Sequence, residues 1–249
     1  MPSTEHLVAS AAAAIRDHRH VDIIGPRLSG RSTALGRLVD LFRDEGWEVL
    51  EVPGRTPPAL LPSLDSERGM IAADDWDLLD AETRTLITGC GATVATTRAG
   101  GEPAFESMHQ LSIAPLDAET LRVLLTRVLG FVLEHEDARS LAVLADGSAG
   151  AAIGVANAAR ERGDLVVSDG RATMSGSWVD SAGPVVTSLL EPLSAERQEA
   201  LAGIAQSAIV RGVSGAAVDE LVGLGYLEAV PDDAVRVSST LLRRWFTRP

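Results

Sequence analysis

The chain has 249 residues, 45% of them hydrophobic, and a formal net charge of -13. This length is enough for one large or two to three small folded units with a sizeable core. The acidity argues against a free-standing nucleic-acid binder, which needs a basic face to neutralise phosphates. With Cys90 the only cysteine, there is neither an intrachain disulfide framework nor a multi-cysteine metal site. His6, His18, His20, His109 and His135 have no recognisable ligand spacing. No apolar run reaches the roughly 18 residues of a membrane helix, and no N-terminal stretch has a signal-peptide layout, so the expected location is cytoplasmic. All 22 basic residues are arginine.

From Glu5 to Asp17 the apolar positions Leu7, Val8, Ala11 and Ile15 repeat at helical spacing. Val21–Ile24 reads as a short buried strand bounded by Gly25-Pro26. A helix follows from Thr33 to Glu45 through Leu35, Leu38, Val39 and Phe42, and Gly46 stops it. Trp47–Val52 is a second strand, and 55–68, rich in proline and polar groups, is a loop or ragged helix. Met70–Ala73 is a third strand, followed by a helix from Ala81 to Gly89. Ala92–Thr97 and Gln110–Ile113 are a fourth and a fifth strand. Strands alternating with helices predict βαβ units and a mostly parallel sheet.

After Asp117 the pattern changes to amphipathic helices over about 118–130, 134–146 and 150–162, with no strand between them. Leu165–Met174 is a hairpin around the turn pair Asp169-Gly170. The chain is helical again from Ala182; Ser194 is placed to cap one helix, and Ser214 starts another that runs to Gly223. Tyr226–Val230 and Ala234–Ser238 form a second hairpin through Pro231-Asp232-Asp233. Helices followed by a two-stranded wing suggest a winged-helix unit.

Three stretches carry chemistry. Gly25-Pro-Arg-Leu-Ser29-Gly30-Arg31-Ser32 fits the P-loop spacing G-x-x-x-x-G-K-[ST], with arginine in the lysine position. A strand before it and a helix after it would turn backbone N–H groups and the positive end of the helix dipole toward a phosphate. Ser32 supplies a hydroxyl for Mg²⁺. Met70-Ile-Ala-Ala-Asp74-Asp75 is an apolar run ending in two carboxylates. A buried strand places Asp74 beside the loop to hold Mg²⁺, and Asp75 to orient or polarise a water. Thr96-Thr97-Arg98 ends the fourth strand, where ligands of open α/β sheets bind, so Arg98 is a candidate reader of the γ-phosphate.

Taken together, GPRLSGRST, MIAADDWDLLD, VATTR and LSIAPLDAETLRVLL resemble the nucleotide-binding region of STAND-class ATPases, above all the N-terminal region of large LuxR-family transcriptional regulators. The resemblance implies an α/β P-loop NTPase core of AAA+/STAND type, then a helical lid and a winged-helix-like domain. The expected boundaries are 1–116 for the core, 117–163 for the lid, 164–180 for a hairpin linker and 181–249 for the last domain. It also implies ATP or ADP with Mg²⁺ as cofactors. Gly25, Ser29, Gly30, Arg31, Ser32 and Thr33 would lie around the phosphates, Ser32 and Asp74 at the metal, and Asp75 and Arg98 in catalytic positions.

Three departures from the family pattern point to binding with weak hydrolysis. Arg31 is bulkier than lysine, Leu28 stands where glycine is frequent, and Ala152 replaces the proline of a Gly-x-Pro element. The expected function is an ATP/ADP-dependent switch whose partners are the nucleotide and a protein or a second copy. An alternative is a degenerate scaffold that has lost nucleotide binding. A third reading, a DNA-binding initiator of AAA+ type, is disfavoured by charge. Residues 182–249 contain six arginines and eight carboxylates, which gives 6 − 8 = −2.

Overall fold

The computed structural model describes residues 4–54, 64 and 67–248. Most of the predicted loop at 55–68 therefore lies outside the described residues. The chain divides into two compact units. The first is Met1–Pro26 with Gly30–Ala114, and the second is Pro115–Pro249 together with Arg27–Ser29.

The first unit is built on β1 (Val21–Ile24), β2 (Glu48–Val52), β3 (Gly69–Ala73), β4 (Thr93–Arg98) and β5 (His109–Ser112). They form a five-stranded sheet in the order β2-β3-β4-β1-β5, with every pair parallel. Every residue of β3 and β4 is buried, whereas the edge strands β2 and β5 alternate or are partly exposed. Covering both faces of a parallel sheet lets an inner strand be apolar throughout, as Gly69–Ala73 is, whereas β4 also buries Thr93, Thr96, Thr97 and Arg98. Side-chain alternation then divides β3 between two cores. Met70 and Ala72 pack with Ile15, Leu38 and Phe42, and Ile71 and Ala73 pack with Trp76, Ile87 and Val94.

The first of those cores is closed by α1 (Thr4–Arg16) and α2 (Arg31–Asp44), and the second by α3 (Ala81–Gly89) and the 3-10 turn Trp76–Leu78. α2 begins two residues earlier than its periodicity predicts, directly behind Gly30, whose φ of 98° serves as the N-cap. Asp80 caps α3 by accepting from the Thr83 N–H at 2.7 Å.

At the start of β1, His20 stacks on Phe105 with ring centroids 3.9 Å apart, and its Nδ1 accepts from the Val94 N–H at 3.1 Å. Burial pushes its pKa below the ordinary 6.5. The folded state therefore favours the neutral ring. Its contribution is complete above the unfolded pKa and is lost as the pH falls below that value. Urea stability should be flat above about pH 6.5 and decline on the acid side, with a smaller decline in His20→Gln. Equal acid-side losses in the two proteins would refute this assignment.

The second unit contains α4 (Ala118–Leu129), α5 (His135–Leu144), α6 (Ala149–Arg162), α7 (Trp178–Ser181), α8 (Gly183–Leu190), α9 (Ala195–Ala205), α10 (Ala216–Gly223) and α11 (Thr240–Phe246). One continuous core runs through it, from Leu121 and Leu125 through Val155 and Trp178 to Leu221 and Leu242. The first predicted hairpin is β7 (Leu165–Ser168) with β8 (Arg171–Met174), and the second is β10 (Leu227–Val230) with β11 (Ala234–Val237). Asp232 and Asp233 both adopt positive φ in the latter turn.

Four details differ from expectation. The helical stretch contains β6 (Val132–Leu133), which pairs parallel with β8, and β9 (Val210–Arg211) adds a third strand beside β11. Two-residue strands are too short to register as periodicity. Helix resumes at Trp178 rather than Ala182, behind a Ser177 cap, and α10 is preceded by Gly215 rather than Ser214. Among the described residues no helix is long and apolar enough to cross a membrane.

Candidate functional site

β1 runs into the phosphate-loop sequence without losing its ladder, because the Gly25 N–H donates to the Arg98 carbonyl at 3.3 Å. The loop then adopts left-handed backbone at Leu28 (φ 63°) and Gly30 (φ 98°). For leucine this region is sterically unfavourable and needs support from its surroundings. Within the second unit, the Leu28 carbonyl accepts from the Gly150 N–H at 2.9 Å and from Ser148 Oγ at 2.7 Å. A Cβ at position 150 would lie 2.6 Å from the same oxygen, so only glycine fits there. Arg27 places its guanidinium 4.9 Å from the Tyr226 ring centroid and donates to the Leu224 carbonyl at 3.2 Å. The Ser29 hydroxyl is buried and has no hydrogen-bond partner among the described residues.

Ser32 and Thr33 are exposed in the first turn of α2, and Arg31 before them is buried, with 4% exposure. Arg31 Nη2 donates to Asp75 Oδ1 at 2.9 Å. Asp75 has φ 46° and ψ 54° at the turn leaving β3. Thr97 joins the two acids: its hydroxyl donates to Asp74 Oδ1 at 2.5 Å and accepts from the Asp75 N–H at 2.9 Å. Ser32 and Asp74 line one cavity of about 350 Å³, walled by Gly36 and Val39 of α2, Val52 of β2 and Ala72 of β3. A hydroxyl and a carboxylate on one cavity are the hard oxygen donors that Mg²⁺ takes beside nucleotide phosphates. The donor set therefore fits this metal. Among the described residues no group of three or more His, Cys, Asp or Glu could hold a metal ion by itself.

Arg98 is placed differently from its neighbour Thr97. Its Nε donates to Asp22 Oδ2 at 2.7 Å and its Nη1 to the Gly101 carbonyl at 2.5 Å. Thr96 donates to the other Asp22 oxygen at 2.8 Å. Asp22 is fully buried in β1. The structure thus brings together Ser32, Asp74, Asp75, Arg31 and Thr97, while Arg98 is engaged with Asp22. Sequence reasoning named Thr97 only within the stretch Thr96-Thr97-Arg98, without a role, and did not single out Asp22. Strand alternation puts Thr96 and Arg98 on one face and Thr97 on the other. A lone carboxylate within the apolar run Val21–Ile24 is the signal for a buried cation partner.

Gly54, at the end of β2, is a further unpredicted element. A Cβ there would lie 2.7 Å from Asp75 Cβ and 3.0 Å from the carbonyls of Asp74 and Asp75. Gly54→Ala should displace the acid pair, at a cost of about 1–3 kcal/mol in unfolding stability. An unchanged denaturation midpoint would show that the turn yields freely.

The five-stranded parallel sheet, with a glycine-bounded loop between β1 and α2 and two acids following β3, is an α/β fold that matches those of P-loop NTPase structures. The chain is similar to the Walker-type ATPase of Pyrococcus abyssi, with a TM-score of 0.66 and 12% identity over 99% of this chain and 96% of that one. It is also similar to the RuvB Holliday junction branch migration motor of Thermotoga maritima, with a TM-score of 0.52 and 15% identity over 94% and 91% of the two chains. A STAND protein with a tetratricopeptide repeat sensor from Pyrococcus horikoshii aligns over 96% of this chain and 42% of its own, at a TM-score of 0.39 and 12% identity. No protein-family model matches the sequence, and no curated protein matches it. At these identities the likeness concerns the fold.

Proposed function

We propose that the chain is a nucleotide-binding switch module that takes ATP or ADP with Mg²⁺ and hydrolyses ATP slowly. The observation that carries this reading is the shared cavity of Ser32 and Asp74 at the start of α2, with Arg31 resting on Asp75. In this reading Gly25, Ser29, Gly30, Arg31, Ser32 and Thr33 surround the phosphates, and the unpartnered Ser29 hydroxyl gains an acceptor there. Bound Mg²⁺ would neutralise charge on the β- and γ-phosphates. Thr97 fixes both acids: it holds Asp74 toward the cavity and anchors the backbone of Asp75. Asp75 orients water, and Arg98, paired here with Asp22, would have to leave that acid to meet the γ-phosphate.

Hydrolysis is slow in this proposal because Asp75 is committed to the Arg31 guanidinium. The switch part of the proposal rests on the resemblance to STAND ATPases; Arg27–Ser29 group with the second unit and the rest of the loop with the first. Ligands that differ at the γ-phosphate bias such an arrangement only through their differential contacts. The helices and hairpin of 181–249 are read as a winged-helix-like domain, and the whole as the N-terminal part of a LuxR-family regulator, in the cytoplasm. Its partners would be the nucleotide and a protein or second copy, without direct DNA contact.

Titration with a fluorescent ATP analogue tests the reading. Saturable, Mg²⁺-dependent binding is expected, and Asp74→Asn should remove the Mg²⁺ dependence. Absence of saturable binding, with no nucleotide extractable from the purified protein, would leave the degenerate scaffold as the better description.

A further inference from the structure

Away from the phosphate loop, the second unit holds a cavity of about 320 Å³ between α5, α7, α11 and the turn after β8. Arg244, Asp137 and Ser140 line it among polar residues, and Trp178, Leu144 and Val179 among largely apolar ones. Trp178 is 6% exposed, and its indole N–H is buried without a hydrogen-bond partner among the described residues. Packed interiors rarely leave such a donor unmet, because burial removes its water and returns nothing. Arg244 forms no ion pair among the described residues. Asp137 is fixed in place, since its Oδ2 accepts from the Met174 N–H at 3.0 Å. The lining therefore offers both a cation with a neutral donor and an anion with a hydroxyl, beside an apolar wall.

We propose that this cavity is a binding site for a free amino acid with a small aliphatic side chain. The carboxylate accepts from the Trp178 indole and the Arg244 guanidinium, the ammonium donates to Asp137 and Ser140, and the side chain lies on Leu144 and Val179. Opposite charges within one small lining select a zwitterion over a simple anion, which Asp137 repels, and over a simple amine, which Arg244 repels. The volume is at the lower end of small-molecule sites, about 300–1,000 Å³, which suits a ligand of amino-acid size. The site is independent of the nucleotide reading.

The test is calorimetric titration of the full chain with L-leucine, with 4-methylpentanoate, which lacks the ammonium, and with 3-methylbutylamine, which lacks the carboxylate. Leucine should bind saturably, and each analogue more weakly by about tenfold or more, the loss of one charge-assisted contact. Trp178→Phe keeps the ring and removes the donor, so it should weaken leucine about fivefold. Arg244→Gln, at an exposed position, should weaken it by more than about tenfold. Asp137→Asn should weaken leucine and tighten 4-methylpentanoate, which the carboxylate no longer repels. No saturable binding of leucine overturns the proposal, as does binding indifferent to both Trp178→Phe and Arg244→Gln. Binding of 4-methylpentanoate as tight as that of leucine overturns the zwitterion assignment.

Discussion

Arg98→Ala is expected to lower the unfolding free energy of the first unit by about 3–5 kcal/mol, the cost of leaving a buried charge without its partner. Asp22 is fully buried in β1, and Arg98 is its only ion-pair partner among the described residues. The substitution also removes the donor to the Gly101 carbonyl. Thr96 can still donate to Asp22, but a neutral hydroxyl offers no compensating charge. The penalty belongs to the orphaned acid, so replacing both partners should behave differently. Asp22→Leu with Arg98→Met should recover most of the loss, because an apolar pair of similar volume carries no charge to desolvate. Chemical denaturation of the single and double variants checks this directly. A loss below about 1 kcal/mol for Arg98→Ala, the range of an exposed pair, would contradict the buried pairing.

The second large effect concerns turnover. Arg31→Lys is expected to raise ATP hydrolysis about 100-fold, the low end of what a positioned general base contributes. Arg31 has a planar fork, and one of its nitrogens is 2.9 Å from Asp75. While that bond persists, taking a proton from water would cost Asp75 a charge-assisted contact. Lysine presents a single compact ammonium, which prefers the phosphate oxygens and leaves Asp75 to the water. Arg31→Ala should instead weaken nucleotide binding by more than about tenfold, since it deletes the charge without substitute. Phosphate release and nucleotide affinity measured on the same preparations separate the two variants. Should Arg31→Lys bind ATP as tightly as the parent yet turn over no faster, the Arg31–Asp75 pair is not what restrains hydrolysis.

Much of this architecture is legible in the sequence because parallel, doubly covered strands read as apolar runs. Met70–Ala73 could be placed with its two acids, and Val21–Ile24 with the loop that follows, from that signal alone. The loop spacing gave the start of α2 to within two residues. What escaped is set by contacts distant in sequence. Thr97 and Arg98 are adjacent, and only the observed register sends one to Asp74 and the other to Asp22. The left-handed turn at Leu28 depends on donors 120 residues or more away, at Ser148 and Gly150, and leucine by itself argues against it. β6 and β9 exist because a hairpin edge recruits two residues of passing chain. The resemblance to STAND ATPases pointed to the α/β fold with its parallel sheet, while the lining around Trp178 had no sequence signature.

The contact between Gly54 and the backbone of Asp74 and Asp75 has an evolutionary corollary. In any relative that retains this acid pair on an equally tight turn, the residue closing the second strand should be invariant for lack of space. Relatives that accept alanine or serine there should have lost the second acid, relaxed the turn, or both. An alignment pairing those two columns would sort competent from defunct members without a single assay.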